Sequence, residues 1–255
     1  MYLTTLAAAL TLFFLLWILS LAMKDASVVD RYWGIAFIVI ASATSAATEG
    51  FETRSRLVLV LVTLWGARLS LYITVRNLGG GEDFRYRAMR ERWGTRFPIV
   101  SLATVFGLQA LLAWIVSLPV QAAIAAVFPA RLTALDRIGV AVWIVGFAFE
   151  AVGDWQLSRF RAKARNRGRL LTTGLWKYSR HPNYFGDALQ WWGLWLIAAA
   201  TGAWWTVVGP LLMTLLLLRV SGVTLLEKRL RRSREGYEDY CRRTSAFVPT
   251  RPRRV

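Results

Sequence analysis

The chain has 255 residues, 56% of them hydrophobic, with thirteen tryptophans and a formal net charge of +17 from 32 Lys and Arg against 15 Asp and Glu. So apolar a composition over this length excludes an ordinary soluble domain and points to an all-α polytopic membrane protein. The basic excess would suit nucleic acid, but in a membrane protein it sets orientation, so no nucleic-acid partner is expected.

Measured against the ~20 residues needed to cross the hydrocarbon, the apolar runs predict about seven transmembrane helices, at 2–23, 32–48, 57–75, 99–128, 135–157, 184–200 and 204–220. The first has no basic residue before it and no small-residue cleavage site, so it reads as a retained helix rather than a signal peptide. The second and sixth are short. Between the third and fourth lies "RNLGGGEDFRYR", whose glycines form a flexible turn and match neither a Walker loop nor a dinucleotide fingerprint. The fourth run is overlong and carries Pro119, so a kink or re-entrant end is expected there. The seventh continues toward Leu230. No soluble domain, low-complexity tract or inverted repeat interrupts this single membrane domain.

Charge supports seven spans. Two basic residues flank the first link (Lys24, Arg31), six lie from Arg76 to Arg96, eight from Arg159 to Arg180 and ten from Lys228 onward, whereas the alternate links hold only Arg54, Arg56, Arg131 and Arg137. Seven crossings place the rich segments together, which makes that side the cytoplasm, with the N-terminus outside and the C-terminus inside. Splitting the fourth run would spoil this pattern. Cys241, the single cysteine, then lies on the reducing side, and with one histidine, His181, neither a disulfide framework nor a metal site is expected.

The chemically interesting residues gather on the same side. Glu150, Asp154 and Arg161 share a helix face at spacings of four and seven. Carboxylates at membrane depth suit a polar pocket better than a lipid-facing wall. In "TTGLWKYSRHPNYFGDALQWW", Pro182 fits the first turn of a helix and Asn183 a cap. Free N–H groups there, backed by Arg180 and His181, would receive an anion, and Asp187 follows one turn later. Blander roles compete: His181 bonded to a loop carbonyl, tail arginines meeting anionic lipid headgroups, tryptophans anchoring at the interface.

The segment from Asp154 through "GLWKYSRHPNYFGD" to Trp191, with "LLEKRL" and "YEDYCRRTSAFVP", resembles the carboxy-terminal region of the steroid 5α-reductase family. "DRYWG", "LWGARLSLYITVRN" and "GEDFRYR" resemble the bacterial branch of that superfamily known as a domain of unknown function (DUF1295-like). The resemblance implies a seven-helix enzyme of the bacterial inner membrane. Its NADPH site would face the cytoplasm, and it would reduce a carbon–carbon double bond conjugated to a carbonyl in a steroid-like or other lipid. Residues 1–98 would carry the substrate side and 99–255 the cofactor-binding region. Cofactor contacts are implied at Asp154, Arg161, Arg169, Asn183 and Asp187, with Tyr178 nearby and Arg76 and Arg85 meeting phosphates. Glu150, Arg180, His181, Tyr184, Arg219 and Glu227 complete the candidate set. Ser158 and Glu150 depart from the family's basic residue and asparagine. The acid that polarises the carbonyl lacks its usual glutamate motif; Tyr72 is the tyrosine equivalent, with Asp30 or Arg68 as substitutes. The same "YSRHPNY" and glutamate-bearing segment also resemble the isoprenylcysteine carboxyl methyltransferases and bacterial phospholipid methyltransferases, which use S-adenosylmethionine. A non-catalytic lipid carrier or scaffold is the third reading.

Overall fold

The computed structural model describes residues 1–220 and 223–253. Among these the chain is helical, and an isolated bridge between Ser179 and Ser245 is the one β pairing. The chain divides into two compact units, Met1–Thr133 with Ala198–Thr206, and Ala134–Ile197 with Val207–Val255.

In the first unit, α1 (Tyr2–Met23) buries Thr5, Ala9, Phe13 and Leu16 along one stripe. It stops at Lys24, whose left-handed backbone turns its N–H back to the Leu21 and Ser20 carbonyls. The short α2 (Val28–Arg31) leads into α3 (Trp33–Ala47), which packs on α4 (Glu52–Asn77). That approach needs glycine on both helices: a Cβ on Gly34 would lie 2.3 Å from the Gly66 carbonyl oxygen. Phe13, Trp33, Phe37 and Trp65 then stack edge-on with centroids 5.2 to 6.3 Å apart, the geometry aromatic rings prefer.

Further along, α5 (Phe84–Trp93) is capped by Asp83, whose carboxylate accepts the Arg85 N–H at 2.9 Å. It continues through α6 (Phe97–Ser101), a wide π-type turn at Leu102–Gly107 and α7 (Leu108–Val116). The kink expected from Pro119 is a clean break. Ser117 ends α7, and α8 (Leu118–Ala125) restarts with Pro119 in its first turn, where a missing N–H leaves no bond unmade.

The second unit is built on α9 (Ala134–Arg161) and most of α10 (Pro182–Ala199). It closes with α11 (Val208–Leu215), a π-type turn at Leu216–Val220, α12 (Val223–Ser233) and α13 (Tyr237–Arg243). Three helical stretches among the described residues are long and apolar enough to cross a membrane: Tyr2–Met23, Glu52–Asn77 and the composite Phe84–Val116. Trp33–Ala47 and Trp204–Arg219 are apolar but shorter. Several long apolar helices agree with an integral membrane protein.

Candidate functional site

Glycines decide where the carboxylates of the second unit go. Gly139, Gly146 and Gly153 recur every seven residues on α9, about two turns, and so lie on one face. They meet α10 backbone to backbone. A Cβ on Gly146 would sit 2.6 Å from the Gly186 carbonyl oxygen, and one on Gly186 would sit 2.4 Å from the Glu150 nitrogen. Helices this close carry the neighbouring side chains inward with them: Glu150 and Asp154 are each 3% exposed.

α10 answers with amides. Gln190 Nε2 donates to Glu150 Oε2 at 2.8 Å, and Asn183 Nδ2 donates to Asp154 Oδ1 at 2.9 Å. Asp187 is buried between these two in sequence, four residues after Asn183 and three before Gln190, hence on the same face. The opposite ends of both amides, Asn183 Oδ1 and Gln190 Oε1, are buried without a hydrogen-bond partner. Such orphaned acceptors are rare in folded proteins, and a ligand N–H or O–H would satisfy them.

A second knot surrounds Arg180. Its Nε and Nη2 reach Glu227 Oε1 at 2.8 and 2.7 Å, and its Nη1 donates to the carbonyls of Cys241 and Thr244 at 3.1 and 2.6 Å. His181 Nε2 stands 3.4 Å from the same Glu227 oxygen, and the His181 ring stacks on Tyr184 at 5.6 Å and 5°. Burial alone would raise the Glu227 carboxyl. Hydrogen bonds from His181 and Arg180 and the guanidinium charge outweigh it and hold the group below the usual carboxylate range. The end of the chain straps this loop down. Arg180 N donates to Ser245 O at 2.8 Å, Ser179 Oγ to Phe247 O at 2.7 Å and Thr250 N to Tyr178 O at 3.0 Å, while the Tyr240 hydroxyl donates to Trp176 O.

The helix entrance differs from its sequence reading in two respects. Pro182 takes the first helical position, as its fixed φ favours, but Asn183 sits inside the helix and spends its amide on Asp154 rather than capping. The Arg180 guanidinium, expected to back the free N–H groups of that entrance, is bonded to Glu227 and to the Cys241 and Thr244 carbonyls. Among the remaining candidates, Arg161, Arg169 and Arg219 are exposed and Tyr178 is 42% exposed.

The first unit holds its own polar cluster. Arg85 Nη2 donates to Asp30 Oδ2 at 2.7 Å and its Nε to Asp83 Oδ1 at 2.9 Å. The Tyr86 hydroxyl donates to Asp30 Oδ1 at 2.8 Å and accepts from Gln109 Nε2 at 3.3 Å. Burial raises the Asp30 carboxyl above its ordinary value, against the opposing pull of Arg85 and the Tyr86 hydroxyl. Beside it, Glu82 accepts the Ala26 N–H at 2.9 Å and two Arg90 bonds at 3.0 and 2.8 Å. On α4, the guanidinium carbons of Arg68 and Arg76 lie 6.0 and 5.6 Å from the centre of the Tyr72 ring. Sequence reasoning found Asp30 and Arg85 separately and missed Tyr86, Glu82, Arg90 and Gln109. The partners stand 55 or more residues apart, or sit in an arginine run that reads as a solvated face. Gln190 was missed too, although the seven-residue glycine period would have pointed to its helix face. Among the described residues no group of three or more His, Cys, Asp or Glu is placed to hold a metal.

An all-helical protein with long apolar helices and a row of buried carboxylates met by amides is the class that this geometry defines. The chain belongs to the family described as a protein of unknown function (DUF1295), whose model matches residues 16–244. An uncharacterized protein of Schizosaccharomyces pombe is 27% identical over 211 residues, an alignment covering 72% of this chain. The chain spans 60% of the length of that relative. No solved structure matches.

Proposed function

We propose that this protein is a membrane-embedded NADPH-dependent reductase acting on a carbon–carbon double bond conjugated to a carbonyl in a steroid-like or other lipid. In this reading it has about seven spans, its N-terminus outside, and its cofactor site facing the cytoplasm of a bacterial inner membrane. The observation that carries the proposal is the shared face of buried Glu150, Asp154, Asp187 and Gln190 and half-buried Asn183, with two buried amide oxygens left unsatisfied. Acceptors set among carboxylates fit the ribose hydroxyls and carboxamide N–H groups of a dinucleotide, so the residues present suit that cofactor. NADPH, when bound, supplies the hydride.

The chain's own residues do the rest. Asp154 and Asp187 accept hydrogen bonds that orient the ligand, and the glycine-tight helices exclude water behind them. In the first unit, the raised Asp30 carboxyl holds a proton more readily than an exposed acid would. An acid raised in this way is suited to donate to a carbonyl oxygen as negative charge builds there. Tyr72, with Arg68 beside it, is the second donor in this reading.

S-adenosylmethionine-dependent methyl transfer to an isoprenoid or phospholipid is favoured by a different observation. Arg180, His181 and Glu227, which carry the methyltransferase resemblance, are knotted together. Thermal protection of the purified protein separates the readings. NADPH should raise the melting temperature and S-adenosylmethionine should not, and N183A and D187A should each abolish the shift with expression intact. Protection by S-adenosylmethionine alone would move the assignment to methyl transfer, and protection by neither to a lipid carrier.

A further inference from the structure

A hollow of about 210 Å³ lies where α9 ends, lined by Trp155, Gln156, Arg159, Lys163, Asn166 and Thr173 among others. Its lining is amphipathic. Trp155 is 57% exposed, with the Arg159 guanidinium 5.4 Å over its ring, and Phe160 and Leu171 extend the apolar half. Gln156 Oε1 accepts the Leu175 N–H at 3.0 Å and leaves its Nε2 as a donor. Gly174, at φ +62°, keeps the wall thin, since a Cβ there would strike the Gln156 amide at 2.5 Å.

The two cations in this lining, Arg159 and Lys163, meet no carboxylate among the described residues. From Trp155 to Gly186 the sequence holds eight Lys and Arg and no Asp or Glu. No carboxylate among the described residues pairs with Arg159, Lys163, Arg165, Arg167 or Arg169, whereas Arg85, Arg90 and Arg180 all have one. The basic end of α12 adds to the same side: a Cβ on Gly168 would lie 3.6 Å from Arg234 Nη1. Cations left unpaired around an aromatic, half-apolar hollow suit an anion that carries its own apolar body.

We propose that this hollow is a headgroup site for an anionic phospholipid, the phosphodiester held by Arg159 and Lys163 and the start of the acyl chains lying along Trp155. An exposed tryptophan next to arginine is how helices mark the membrane–water boundary, which favours a lipid over a water-soluble phosphate. The site is independent of the reductase reading.

The test uses the full chain in detergent, titrated with phosphatidylglycerol or phosphatidylcholine and read by native mass spectrometry and thermal shift. Phosphatidylglycerol should bind preferentially and stabilise. Two surface cations are each worth roughly fivefold, so R159Q/K163Q should weaken that binding about 25-fold. R251Q/R253Q, which removes the same charge from the tail, should leave it unchanged. If the double variant cannot be recovered, K163Q alone carries the test at about fivefold. Equal binding of the two lipids, an equal loss in the tail variant, or displacement of phosphatidylglycerol by NADPH or inorganic phosphate would each overturn the assignment.

Discussion

Asp30 and Glu227 are both carboxylates facing an arginine at about 2.7 Å, yet their titrations move in opposite directions. At Asp30 the cost of burial exceeds what Arg85 and the Tyr86 hydroxyl return, so the acid is raised. At Glu227 two partners, His181 and the Arg180 guanidinium, outweigh burial, and the acid is lowered. An ion pair seen in a structure therefore does not tell whether the pair favours the charged form; the balance of donors and neighbouring charges, such as Asp83 beside Asp30, against the desolvation does. The first arrangement suits a group that retains a proton, and the second a fixed anchor for a loop.

The largest effect is expected from separating α9 and α10, whose close approach buries Glu150 and Asp154. G186L places a side chain 2.4 Å from α9 backbone and should cost about 3 kcal/mol or more, seen as loss of monodisperse protein or a large fall in melting temperature. G80A, whose Cβ meets only the Asn77 oxygen at 3.4 Å, should be almost silent. If both glycine variants behave alike, close helix approach is not what buries Glu150 and Asp154.

E227Q comes next. It leaves a guanidinium that is 9% exposed without its counter-charge, at a cost of about 3 kcal/mol. The variant also sharpens the pH contrast. A lowered carboxyl contributes stability that is full above its unfolded value of about 4.3 and is lost as pH falls through the folded value, so E227Q should remove an acid-side loss. A raised carboxyl contributes stability that is present below its unfolded value of about 3.9 and lost as pH rises through the folded value. D30N should therefore flatten a decline on the opposite side. Melting temperature against pH for the two variants, each referred to wild type, reads both signs; parallel curves would sink the contrast.

The smallest effect belongs to Y86F. It removes one donor from Asp30 at about 1 kcal/mol and, by taking away a bond that favours the ionised acid, should push the Asp30 titration further up.

Much of the helical layout was legible in the chain. The first helix runs over 2–23 as its apolar run does, because nothing in that stretch competes with the helix. Pro119 marked the break, because proline can start a helix but not continue one. The burial of Glu150 and Asp154 was foreseeable as well, since acids on an apolar helix need a polar neighbour. Their actual partners, Gln190 and Asn183, were harder: an amide on a helix looks the same whether it faces a carboxylate or water.

The helical class, the apolar lengths, the proline break and the segments in which basic residues gather follow from local composition and backbone chemistry. Which charge meets which is settled by packing. Arg180 finds Glu227 across 47 residues, Arg85 finds Asp30 across 55, and Arg165, Arg167 and Arg169 meet no carboxylate among the described residues. Long-range pairing is set by how closely backbones pack, through glycines such as Gly146 and Gly186, and no local propensity encodes that distance.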